Sequence, residues 1–154
     1  MTSEIEKKYL FPAGILVFLA SVLLYFVFLE WDIKIDFVLT ALVVLAIFLK
    51  LEEIVLLSIL GIWVFNFKPA LSLEMIWFLV LPVLTFGLNK FLPGKNWFSA
   101  LVSVFISFII FYASINFSLL FGSLVVSLGI MLPTLAFGVL VFMVFEFIFN
   151  SNEV

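Results

Sequence analysis

Lys50, Glu52 and Glu53 form the densest charge cluster in the chain, and they bound the chemistry it could attempt. Adjacent carboxylates project from different sides of a helix, so Glu52 and Glu53 do not by themselves make an acid–base pair. Their spacing fits a solvated turn between two helices, or a docking point for a cytoplasmic partner. A second polar group, Asn66, Lys68, Ser72 and Glu74, falls between two apolar runs. It suits helix capping and interface anchoring, the lining of a pocket, or contact with a partner on the opposite face. Ser99, Ser103 and Ser107 recur every four residues, with Ser114 one heptad further on. At helical spacing they form a narrow stripe suited to close helix packing, with a polar path for a solute as the alternative. No histidine is present, and no lysine is expected at depth, to activate a serine as a nucleophile.

The missing residue types narrow the chemistry further. Without cysteine or histidine, disulfides, thiolate or imidazole metal sites and histidine general bases are excluded. All seven basic residues are lysines, so bidentate guanidinium clamps on phosphate or carboxylate are excluded too. A net charge of -3 with no basic patch argues against nucleic-acid binding. Glu30, Asp32 and Asp36 read as an acidic loop, and Glu146 as a side chain snorkelling from a helix end. No ionisable group is then expected near the bilayer centre. The expectation is a protein without enzymatic activity, cofactor or metal, and without ion coupling.

These groups must be positioned by elements that live in lipid. Hydrophobic residues make up 67% of the 154 and charged residues 11%. A soluble domain of this size has too much surface for its volume to hide that apolar area. The expected fold is all-α, a single transmembrane domain of about six helices over roughly 9–29, 33–49, 53–67, 72–91, 97–115 and 132–149. The first run is longer than the roughly 7–15 apolar residues of a cleaved signal peptide. A single helix across 37–67 would bury Lys50, Glu52 and Glu53 at about 2.5–3.5 kcal/mol each, so a hairpin turning at those residues is preferred. Pro69 ends the third helix, and Pro82 and Gly87 predict a kink in the fourth. Residues 118–130 read as a short interfacial or partly buried helix, with one long kinked helix through 149 as the alternative. Lysine placement favours a cytoplasmic N-terminus, with Lys7, Lys8, Lys50, Lys90 and Lys95 inside and Lys34 and Lys68 outside. Six spans return the C-terminus to the cytoplasm, whereas a crossing by 118–130 places it outside.

The stretch Phe37–Leu92 resembles the rod-shape-determining MreD family of bacterial inner membranes. The resemblance rests on KLEEIVLLSILGIWVFNFKPALSLEMIWFLV, which reads as a short second helix, an acidic turn, a third helix and a serine/proline turn. Gly61 falls where the family has glycine, Asn66 takes the place of its aspartate, and Lys68, Pro69 and Ser72 occupy the turn. The family's Phe-Gly or Leu-Gly after that turn is absent. The resemblance implies a multi-pass scaffold of the cell-elongation machinery in the bacterial cytoplasmic membrane. Its implied partners are membrane lipid, an MreC-like bitopic protein, the actin-like cytoskeleton and peptidoglycan-synthesis enzymes, met through Lys50–Glu53 and Asn66–Glu74. The substrate-binding subunits of energy-coupling-factor vitamin transporters are similar in size and span count, and imply instead a vitamin pocket at the outer helix ends. A structural accessory subunit of another membrane complex is the third reading.

Overall fold

The computed structural model describes residues 2–29, 36–65, 73–89, 91, 96–115, 117, 122 and 124–150. The elements are helices throughout: α1 Thr2–Leu29, α2 Phe37–Leu45, α3 Leu51–Phe65, α4 Leu73–Leu88, α5 Trp97–Ile115 and α6 Leu124–Asn150. Among the described residues there is no strand. Tyr9–Phe28, Trp97–Ile115 and Val125–Ile148 are long and apolar enough to cross a membrane.

The chain is built around α2. All nine of its residues are buried, and it touches each of the other five helices. Every position is apolar except Thr40, as expected of a helix with no solvent face. It is shorter than the span expected over 33–49. After Leu45 the chain tightens, with Ile47 N–H bonding Val44 O and Phe48 N–H bonding Leu45 O, both at 3.0 Å. The Asn89 side-chain amide from the end of α4 reaches Ala46 O at 3.5 Å. Phe37 meets Phe137 edge-on at 5.0 Å, and Phe48 lies 5.2 Å from Phe142 and 5.3 Å from Phe145. Helices α2 and α6 therefore run side by side in the same direction, sealed by aromatic contacts.

Helix α6 follows the alternative of one long helix. Of the two readings of this stretch, a short helix ending near 130 with a separate span from 132 or one long helix, the second fits, since Leu124–Asn150 is continuous through Pro133; residues 118–121 and 123 lie outside the described residues. Proline removes one backbone donor, a cost that helix packing around it can absorb. The next residue, Thr134, donates its hydroxyl proton to Ile130 O at 2.7 Å. Thr85 does the same to Leu81 O at 2.9 Å beside Pro82, and Ser21 to Val17 O at 2.7 Å. Hydroxyls satisfied within their own helix can sit in apolar surroundings at little cost.

Glycine allows close approach at the centre. A Cβ on Gly138 would lie 2.9 Å from Val104 and 3.3 Å from Thr40, so α6 meets α5 and α2 there. Around the outside, Leu16, Leu23, Trp63, Leu132, Leu140 and Phe147 are exposed, Trp63 to 76%. A water-soluble monomer rarely shows an apolar belt of this kind, and lipid is the solvent that fits it.

Candidate functional site

Asp36 sits at the N-terminal end of α2, where its side chain makes no capping bond to its own helix. The carboxylate turns to α5 instead. The Tyr112 hydroxyl donates to Asp36 Oδ2 at 2.6 Å, across 76 residues of chain. Tyr112 is held by Phe108, with ring centroids 4.6 Å apart, and by Phe111 at 5.4 Å. Taking a carboxylate out of water is costly unless it is hydrogen-bonded, and a bond to a charged group is worth about 1.5–3 kcal/mol. The Tyr112 hydroxyl therefore helps to fix where α2 and α5 meet.

Beside this pair lies a small cavity lined by Asp36 and Thr40 of the α2 segment, Ser107, Phe108 and Phe111 of α5, and Thr134 of α6, among others. Thr40 stands one turn after Asp36, tied to it by its backbone N–H to Asp36 O at 2.9 Å. About 10 Å³ is open to the centre of a water-sized particle, room for roughly one water. Glu74, in the first turn of α4, and Tyr25 of α1 lie within electrostatic reach of Asp36. The cavity itself is lined from three helices, α2, α5 and α6.

Sequence reasoning misses this site. It places Asp36 in an acidic outer loop, whereas the structure turns its carboxylate inward against Tyr112. One signal is present in the chain: Thr40 follows Asp36 at i+4, so the two share a face of the apolar run. Nothing local points to Tyr112 as the partner.

The expected site residues divide between the two ends of α2. At the far end Lys50 and Glu52 are exposed and Glu53 half-buried. Glu53 Oε2 accepts the Lys50 backbone N–H at 2.9 Å, one half of a capping box at the start of α3. Asn66, Lys68 and Ser72 lie outside the described residues, and Glu74 is exposed. Ser99, Ser103 and Ser107 are all buried. Asn96 Oδ1 accepts both the backbone N–H and the hydroxyl of Ser99 at 2.8 Å, which caps α5. The Ser103 hydroxyl is buried without a partner among the described residues, and Ser107 faces the Asp36 cavity. Of the expected residues, then, Ser107 lines the Asp36 cavity and Glu74 lies within electrostatic reach of Asp36, while Lys50, Glu52 and Glu53 stand at the other end of α2. Comparisons with family models, with curated proteins and with solved structures find no match to this chain.

Proposed function

We propose that this protein is a multi-pass scaffold of a bacterial cytoplasmic membrane, similar in role to MreD, acting through contacts with other membrane proteins and without catalysis. The observation that supports this reading is the small size of the cavity found among the described residues. A small-molecule site needs roughly 300–1,000 Å³, whereas the cavity beside Asp36 offers about 10 Å³. Among the described residues, that contrast lends support to the scaffold over the vitamin-binding alternative. Contact surfaces are offered by Lys50 and Glu52, exposed at the turn between α2 and α3, and by Glu74 at the start of α4. The connection holding Asn66, Lys68 and Ser72 belongs with Glu74 in this proposal.

Depletion in a rod-shaped host is the direct test. Cells are expected to round as the protein is lost, and charge reversal at Lys50 and Glu52 together is expected to reproduce this at normal protein levels. Retention of rod shape after complete depletion would reject the role. A vitamin carried through purification would favour the transporter reading instead.

A further inference from the structure

We propose that the exposed face of α3 and α4 gathers short-chain phospholipid and so thins the bilayer along one side of the protein. The inference rests on the membrane reading and not on the scaffold role. Helix length carries it. On α4, Glu74 and Asn89 bracket the uncharged stretch 75–88, about 21 Å of helix. On α3, Glu53 and Asn66 bracket 54–65, about 18 Å. The hydrocarbon of a bilayer is about 30 Å thick. Other helices are taller: Tyr9–Phe28 of α1 runs for 20 residues and Val125–Ile148 of α6 for 24, about 30 and 36 Å of helix.

The short helices also stand at one level. Asn89 of α4 meets Ala46 O at the end of α2, and Glu74 lies within electrostatic reach of Asp36 at its start. Helix α4 therefore runs beside α2 in the same direction. Helix α3 turns back from Leu51, and a Cβ on its Gly61 would lie 3.6 Å from the Phe78 ring of α4. Polar residues thus close this face at both ends, leaving an apolar band about 9 Å shorter than the bilayer core.

A membrane answers such a shortfall by thinning, by snorkelling of flanking side chains or by helix association. Snorkelling suits a long stem such as that of Lys50, but the exposed Glu52 and Glu74 hold their carboxylates on two methylenes. Association favours small residues that let backbones approach. On α3 the small residues Ser58 and Gly61 are buried, whereas Leu56, Ile59, Leu60 and Trp63 are exposed. Ile76 and Val80 of α4 are exposed too. Bulky apolar side chains closed off by carboxylates fit short acyl chains.

Lipid competition tests this on the unaltered chain in vesicles. A phosphatidylcholine brominated on eighteen-carbon chains quenches exposed tryptophans, and unbrominated fourteen- or twenty-two-carbon lipid displaces it. Trp63→Phe and Trp97→Phe, both at exposed positions, assign the signal to α3 or α5 by difference. Trp97 opens the 19-residue α5, whose length of about 28 Å matches the core and makes it the reference. At Trp63 the fourteen-carbon lipid is expected to compete about threefold better than the twenty-two-carbon lipid. At Trp97 the two should compete equally. Glu74→Leu extends the uncharged run of α4 back toward Pro69 and should abolish the preference at Trp63. Should that variant fail to fold, the competition on the unaltered chain decides. Equal competition at Trp63, or a preference that survives in folded Glu74→Leu, overturns the proposal. Quenching lost at Trp63 alone overturns it too, and assigns the face to a protein neighbour. Quenching at neither tryptophan overturns the membrane reading itself, and the proposal with it.

Discussion

At the scale of single residues, polar side chains act at helix ends and junctions. Tyr112→Phe removes only the hydroxyl that donates to Asp36 Oδ2. It is expected to destabilise the folded chain by about 1.5–3 kcal/mol in denaturant unfolding, because the half-buried carboxylate loses its donor. Glu53→Ala is expected to cost about 0.5–1 kcal/mol by releasing the Lys50 backbone N–H. Glu52→Ala, at an exposed neighbour, should leave the same unfolding curve unchanged. The residue scale is also where the sequence is least legible. Asp36 follows Glu30, Asp32 and Lys34, which is what an exposed loop looks like. Its inward turn depends on a tyrosine 76 positions away, and no local rule encodes that distance.

Element boundaries are readable where polar residues bracket an apolar run. Helix α5 covers Trp97–Ile115, as its flanking Asn96 and Asn116 suggest, because Asn96 caps it. Helix α2 is not readable in this way. Its apolar run continues to Leu49, and the end of the α-helix at Leu45 coincides with a tightened turn and the Asn89 contact from α4. Pro133 misleads in the other direction, since it suggests a break in a helix that packing keeps whole. Two glycines make a paired test of helix approach. Gly138→Ala pushes a methyl to 2.9 Å from Val104, and a loss of about 1–3 kcal/mol is expected. Adding Val104→Ala should recover part of it. At Gly61 an added methyl would have its nearest neighbour on Phe18 at 3.5 Å, an ordinary contact. Gly61→Ala is therefore expected to stabilise by about 0.5–1 kcal/mol through helix propensity. Unfolding of all four proteins in one detergent separates the two outcomes.

For the whole molecule, all-helical character and an apolar exterior follow from composition, whereas the arrangement around α2 does not. The chain is expected to stay with membranes through an alkaline carbonate wash and to leave only with detergent. Recovery as a folded monomer in plain buffer would overturn the membrane reading. The central place of α2 also bears on how the chain is made. This helix leaves the ribosome ahead of α5 and α6, which cover it. Nascent chains must therefore carry Asp36 and Thr40 through the synthesis of α3 and α4 with their final neighbours still unmade. A polypeptide stopped before Leu124 would never supply Thr134 or the aromatic seam of Phe137, Phe142 and Phe145. Pulse-chase labelling should find such a fragment cleared by quality-control proteases while the full-length chain persists.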